Sequence, residues 1–282
     1  MLSLFDGIAC GLDALKRANI RVDRYVAFEI DKYAISIAKK NHPEIEECGD
    51  VAGADFTQFR GFDMVIGGSP CQGFSFAGKQ LNFNDPRSGL FFEFVRAVRE
   101  VRPKHILLEN VVMKKEYETV ISNALGVEPI MINSSLVSAQ NRKRLYWTDI
   151  PITQPADHGV LWGDIRQRDI PQGGMYYTPA GLDWIRRHEE RTDKKLKIIA
   201  DTDKMQMLEA TMYKKYSAQR FFAIQDAFGL RYITPTECER CQTLPDSYTA
   251  GVSNTQRYKM LGNGWTVDII AHIFRTAYPT GA

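Results

Sequence analysis

Phe62-Asp63-Met64-Val65-Ile66, running directly into Gly67-Gly68-Ser69-Pro70-Cys71-Gln72-Gly73-Phe74-Ser75-Phe76-Ala77-Gly78-Lys79-Gln80-Leu81-Asn82-Phe83-Asn84, is the stretch on which the reading of this chain turns. Its first five residues are apolar, partly β-branched and closed by a glycine pair, the pattern of a short buried strand. A single thiol, Cys71, follows a proline just beyond that strand. Open α/β sheets keep their chemistry in the crevice outside the carboxyl ends of the strands. Cys71 therefore reads as a candidate nucleophile, against the plainer reading of an inert buried thiol.

Upstream, Met1 to Phe5 reads as a strand, followed by the turn Asp6-Gly7-Ile8-Ala9-Cys10-Gly11 and a helix carrying Leu12, Ala14, Leu15 and Ala18 at helical spacing. Strand, glycine turn and helix present backbone amides to a cofactor in a Rossmann-like half. The glycines are four apart, not Gly-x-Gly-x-x-Gly, which speaks against a dinucleotide and leaves another nucleoside-containing ligand open. The strand Tyr25 to Phe28 ends in Glu29-Ile30-Asp31. Glu29 is placed to accept hydrogen bonds from ribose hydroxyls, whereas Asp31 reads as the N-cap of the helix bearing Tyr33, Ala34, Ile37 and Ala38. Asp50, after Cys48-Gly49, offers a carboxylate at a third position above the same sheet edge.

Downstream, an amphipathic helix runs from Leu90 to Val101, and the strand Pro103 to Leu108 ends in Glu109-Asn110-Val111. Glu109, at the tip of a strand neighbouring the cysteine strand, is the second catalytic candidate. After a strand over Ile130 to Val137 comes Gln140-Asn141-Arg142-Lys143-Arg144. In a strand register Arg142 and Arg144 point to one side, so two guanidinium groups can converge on phosphate or base; the alternative is a solvated basic edge.

The segment 150–230 changes character. Prolines and glycines break its periodicity, and from Pro151 to Leu230 it holds 12 Lys plus Arg against 11 Asp plus Glu. It reads as a small loop-rich second domain (150–230) between a first catalytic part (1–149) and a return segment (231–282). Lys194-Lys195-Leu196-Lys197 and Lys214-Lys215 are its candidate phosphate contacts, with solvated faces the plainer alternative. Thr234-Pro235-Thr236-Glu237 is a capping box with proline at the first helical position. Cys238 and Cys241 form a Cys-x-x-Cys without a second pair or suitably spaced histidines, so helix packing is expected and a metal site is not. Leu261-Gly262-Asn263-Gly264-Trp265 makes a glycine-rich turn before a last helix with Ile269, Ile270, Ile273 and Phe274.

Composition sets the bounds. The 282 residues are 44% hydrophobic and 25% charged, as in ordinary globular chains. A formal net charge of +2 permits nucleic-acid binding without announcing it. No apolar run is long enough to span a membrane, and the start is too soon charged for a signal peptide. Five scattered cysteines indicate free thiols, hence a cytoplasmic setting.

Taken in order, these pieces resemble the cytosine-5 DNA methyltransferases: Phe5-Asp6-Gly7-Ile8-Ala9-Cys10-Gly11, Glu29, Gly49-Asp50-Val51, Gly68-Ser69-Pro70-Cys71-Gln72, Glu109-Asn110-Val111, Gln140 to Arg144, Arg231 to Pro245 and Gly262-Asn263-Gly264-Trp265. The first motif and the tail Val252 to Trp265 look most like the vertebrate de novo branch, and the cysteine loop looks more like bacterial modification enzymes. Two departures lie at the cofactor pocket: Ala9-Cys10 where the family often has a second glycine, and Gly264-Trp265 where many bacterial members have small or β-branched residues.

The resemblance implies an α/β fold, a Rossmann-like S-adenosylmethionine-dependent methyltransferase sheet with a small loop-rich target recognition domain. It implies methyl transfer to carbon 5 of a flipped cytosine in duplex DNA, with Cys71 adding at carbon 6. Glu109 then binds the ring's nitrogen edge, Arg142 and Arg144 contact the base, and Asn110 supports the geometry. Cofactor contacts carried over are Phe5, Asp6, Gly7, Ile8, Ala9, Cys10, Gly11, Glu29, Ile30, Asp50, Val51, Pro70, Leu90, Asn263, Gly264 and Trp265. DNA contacts are Gln72, Ser75, Lys79, Arg87, Lys194, Lys195, Lys214 and Lys215. The loop Gln72 to Arg87 is the natural lid. S-adenosyl-L-methionine without a metal, double-stranded DNA, no membrane, a monomeric state and a bacterial or phage-infected cell complete the expectation, with a cognate restriction endonuclease an admissible partner. The rivals are the branch that methylates transfer-RNA cytosine, a catalytically silent DNA-binding regulatory member and, weaker still, a nicotinamide oxidoreductase.

Overall fold

The computed structural model describes residues 1–70, 86–168, 170–214 and 221–278. The chain forms two compact units: residues 1–134, 143–155 and 267–282 in the first, 135–142 and 156–266 in the second.

The first unit contains β1 (Leu2–Leu4), α1 (Cys10–Arg17), β2 (Val26–Phe28), α2 (Lys32–Asn41), β3 (Glu46–Glu47), β4 (Met64–Gly67), α3 (Pro86–Val101), β5 (His105–Val111), α4 (Lys115–Leu125), β6 (Pro129–Asn133) and β7 (Lys143–Thr148). Among the described residues the strands form one sheet in the order β3-β2-β1-β4-β5-β7-β6. It is parallel from β3 to β5, and β7 and β6 add antiparallel. β2 and β4 are short apolar runs because helices cover both faces of a parallel sheet. The chain winds outward from β1 in one direction and resumes at β4 in the other, so β1 and β4 flank the switch point where such sheets open a ligand crevice. The turn after β1 and the Ser69–Pro70 turn after β4 both leave the sheet there.

Packing fixes this crossing tightly. A Cβ on Gly67 would stand 2.9 Å from the Leu4 carbonyl oxygen and 3.0 Å from the Phe94 ring, closer than real side chains approach. Glycine here lets α3 lie flat against β4. Phe91 and Phe94 of α3 are fully buried with Leu2, Leu4, Val26 and Val65, and Phe28 meets Phe56 and Phe59 edge-on at 5.4 and 6.1 Å.

The second unit contains α5 (Trp162–Ile165), α6 (Pro179–Thr192), a three-stranded sheet of β8 (Lys197–Ile198), β9 (Phe222–Asp226) and β10 (Gly229–Arg231), then α7 (Pro235–Cys241) and α8 (Asn254–Asn263). The final helix, α9 (Val267–Ala277), belongs to the first unit, where it packs on α1 and Asp268 accepts a 2.8 Å bond from Arg17. The capping box forms: Thr234 Oγ1 accepts from the Glu237 amide at 3.1 Å and Glu237 accepts from the Thr234 amide at 2.9 Å. Cys238 and Cys241 lie on α7, buried, with their thiols held neutral by burial.

This division departs from the 150–230 and 231–282 boundaries read from composition. Residues 231–266 pack with the second unit because their charged side chains find partners there: Arg231 donates to the Gln167 carbonyl and Arg240 to the Ile165 carbonyl. Among the described residues no helix is long and apolar enough to cross a membrane.

Candidate active site

The site is built from the crevice ends of β1, β2, β4 and β5. β5 runs three residues further than its sequence suggests, so Glu109 and Asn110 are inside the strand and not beyond its tip. That extension pairs Glu109 with Tyr146 and Val111 with Arg144 on β7. It places the Arg144 Nε 2.9 Å from Glu109 Oε1, in an ion pair whose side chains are 8% and 9% exposed. Asn110, 1% exposed, donates from Nδ2 to the Ser69 carbonyl at 3.3 Å and Ser69 Oγ at 3.2 Å. The residue beside the acid thus anchors the turn two positions before Cys71.

The two arginines of the basic run do different work. Arg144 serves the acid, whereas Arg142, 2% exposed and in the second unit, donates to the carbonyls of Leu208, Gly262 and Gly264 at 2.8–3.2 Å. They do not converge, because β7 begins at Lys143 and Arg142 lies outside the strand register. Gln242, fully buried, donates to the carbonyls of Leu261 and Gly264 at 2.7 and 3.1 Å. Between them the two side chains hold the end of α8, leaving Asn263 exposed and Trp265 half-buried. Gly262 is held against the neighbouring backbone: a Cβ would sit 2.1 Å from the Ala210 nitrogen.

At the glycine turn, Phe5, Gly7 and Ala9 all adopt positive φ, of 57°, 63° and 63°. Ala9, where the family often carries glycine, keeps the left-handed conformation at a cost of about 1 kcal/mol and heads α1. Ile8, Ala9 and Cys10 are buried and Gly11 opens the helix. Glu29 turns inward: Oε2 accepts from the Gly7 amide at 2.9 Å, and Oε1 from the Ile30 and Asp31 amides at 2.8 Å. It therefore ties the β1 turn to the β2 turn. Asp31 caps α2 by accepting from the Tyr33 amide at 2.9 Å. Ile30 is 73% exposed, an apolar side chain standing free at the crevice edge.

Asp6 accepts from Ser3 Oγ and from the Tyr25 hydroxyl, both at 2.6 Å on Oδ1, while its buried Oδ2 has no partner among the described residues. Burial outweighs those two bonds and raises its carboxyl to about 6. Tyr25 is not singled out by any sequence motif. Next to this turn a cavity of about 370 Å³ is lined by Phe28, Cys48, Asp50, Ala54 and Gln58, with Val51 buried behind it. An orphaned anionic oxygen below a turn of backbone amides, beside a cavity with an aromatic wall, fits a cationic nucleoside cofactor.

Pro70 is half-buried just before the undescribed stretch, and Leu90 is a half-buried residue of α3 that packs against the core. Cys71, Gln72, Ser75, Lys79, Lys215 and the side chain of Arg87 lie outside the described residues. Lys194 and Lys195 are exposed ahead of β8 and make no ion pair among the described residues; Lys214 is exposed and stacks 6.0 Å above Tyr213.

Comparison with known proteins identifies the family. The family model for C-5 cytosine-specific DNA methylase matches residues 1–151 and 166–278. The type II methyltransferase M1.ScrFI of Lactococcus lactis subsp. cremoris is 31% identical over 96% of this chain and 75% of its own. Type II methyltransferase M.HpaII of Haemophilus parainfluenzae is 29% identical over 74% and 70%. Among solved structures, DNMT2 of Spodoptera frugiperda superimposes with TM-score 0.77 at 22% identity, covering 98% of both chains. EhMeth of Entamoeba histolytica gives 0.80 at 19%, covering 98% and 97%. With its α/β sheet, its acid–arginine pair and a family match along nearly its whole length, the chain belongs to the C-5 cytosine-specific DNA methylases, S-adenosylmethionine-dependent DNA cytosine-5-methyltransferases.

Proposed function

We propose that the protein methylates carbon 5 of a cytosine flipped out of duplex DNA in one short sequence context, through a covalent adduct with Cys71. The observation that carries this reading is the buried pair of Glu109 on β5 and Arg144 on the adjacent β7, next to an asparagine that pins the turn leading to Cys71. Cytosine carbon 5 is a poor nucleophile until a thiolate adds at carbon 6, which makes carbon 5 electron-rich; once carbon 5 carries the methyl group, its proton leaves to a base and the carbon 6–sulfur bond breaks, freeing Cys71. Addition puts negative charge on the ring's nitrogen edge, and Glu109, oriented by Arg144, holds a proton or hydrogen bond there. Asn110 keeps the Ser69–Pro70 turn in register with the acid, a positional constraint that bears directly on rate. S-adenosylmethionine supplies the electrophilic methyl group when bound. For it, the first unit offers the turn Phe5 to Gly11, Glu29, Ile30 and Asp50 with Val51. Lys194, Lys195 and Lys214 are cations available to DNA phosphates.

Methyl transfer to a sequence-diverse duplex, read by bisulfite sequencing, tests the proposal and reveals the context. Cys71→Ser is expected to lose methylation by at least about a thousandfold while still binding DNA. Full activity in that variant sinks the covalent mechanism, and protection of RNA cytosines alone moves the substrate to the transfer-RNA branch.

A further inference from the structure

Glu47, the last residue of β3, has no place in the reading above. Its carboxylate is shielded, and neither oxygen has a hydrogen-bond partner among the described residues. Ala27 on β2 pairs with both Glu47 on β3 and Ser3 on β1, so all three side chains leave one face of the sheet in a row. Ser3 and Tyr25 hold Asp6 at that face, and Glu47, Asp6 and Glu29 lie within one another's fields. Three carboxylates thus gather under the glycine turn. Lys39 on α2 is the cation whose field reaches Glu47, and it is exposed. Burial, with Asp6 and Glu29 as like-charged neighbours, raises Glu47 to about 7.

We infer that Asp6 and Glu47 form a proton-linked anionic floor beneath the cofactor, one that favours the sulfonium of S-adenosylmethionine over the neutral thioether of S-adenosylhomocysteine. The two ligands share an ammonium, a carboxylate and an adenosine, and they differ by one positive charge at sulfur. A cation above the floor favours its ionised state, so binding expels a proton to solvent. The thioether gives no such return, so the floor leaves spent cofactor less tightly held than fresh cofactor as pH rises. The inference rests on the reading that this turn holds the cofactor.

Calorimetric titration of the whole protein with each ligand, at about pH 5.5 and about pH 8, tests it. The ratio of the two Kd values, homocysteine form over methionine form, is expected to rise about fivefold across this range. Titration in two buffers of different ionisation enthalpy is expected to show net proton release only for the sulfonium ligand. Glu47→Gln should flatten most of the rise. Tyr25→Phe removes a hydrogen bond that lowers the Asp6 carboxyl, so it should move the rise to higher pH. A ratio that stays flat in the wild-type protein, or an undiminished rise in folded Glu47→Gln, overturns the inference and leaves the methyltransferase reading intact. Failure to bind either ligand removes both.

Discussion

Around Arg231 the buried charges of the second unit meet opposite charges, whereas under the glycine turn of the first unit they are all of one sign. Arg231 is fully buried, yet its Nε lies 2.6 Å from Asp226 and its terminal nitrogens 2.7 and 2.9 Å from Glu237. Glu239, also fully buried, accepts from Arg257 and from the Ser247 and Thr249 amides, each at 2.8 Å. Arg142 sits among the α8 carbonyls, a cation at the negative end of a helix. Asp6 and Glu47 have no cation bonded to them among the described residues. A buried charge without a partner costs free energy in the empty fold. Paired charges mark architecture, and unpaired like charges mark the place where a ligand completes the electrostatics.

The largest effect should come from opening a pair. Arg231→Met leaves Glu237 buried without its counter-charge, and about 3–5 kcal/mol of stability is expected to go, measured by guanidinium denaturation. The double variant with Glu237→Leu should recover much of it, because removing both charges is far cheaper than stranding one. A loss under about 1 kcal/mol for Arg231→Met would break the comparison from the architectural side. Next in size is Gly262→Ala. Its methyl would overlap the Glu209–Ala210 backbone, the closest approach made at any described glycine, and about 1–3 kcal/mol is expected to be lost. Thermal unfolding checks it. The same substitution at exposed Gly174, which meets nothing within 4 Å, should cost far less.

Much of the first unit was legible because its signals are local. Apolar runs gave β1, β2 and β4, with glycine turns closing the first and last, and Asp31 was readable as a cap from its position before a helical repeat. Glu109 was readable as a carboxylate on the strand next to β4, although β5 runs two residues past it, and the Cys71 expectation lies outside the described residues. What escaped was non-local. Arg142 finds its carbonyls 66, 120 and 122 positions away, so its strand-like spacing with Arg144 said nothing about its destination. Tyr25 reaches Asp6 from a neighbouring strand, a pairing visible only once β1 and β2 lie side by side. The observed division falls at 155/156 and 266/267, not at the expected 150 and 231, since residues 231–266 are regular in pattern and still pack with the second unit. Glu47 was passed over because a glutamate on a two-residue edge strand looks solvated.

The smallest expected effect, Glu47→Gln, tests the ligand side of the comparison most sharply, because its sign depends on pH. Asp6 and Glu47 both have folded pKa values above their ordinary ones, about 6 and about 7. The folded state therefore keeps protons that the unfolded chain has already released, so their contribution is fully present at about pH 4 and lost as pH rises through 6 and 7. Gln imitates the protonated carboxyl at every pH. The variant should match the wild type near pH 4 and melt roughly 2 °C higher near pH 8, a modest gain because solvent partly screens this edge position. Adding S-adenosylmethionine at pH 8 should narrow the gap, since a bound cation relieves in the wild type what the substitution relieves in the variant. A variant that instead melts lower at pH 8 would show that the Glu47 carboxylate already has a partner in the empty protein, and the contrast between paired architecture and an unpaired site would fail at its most exposed member.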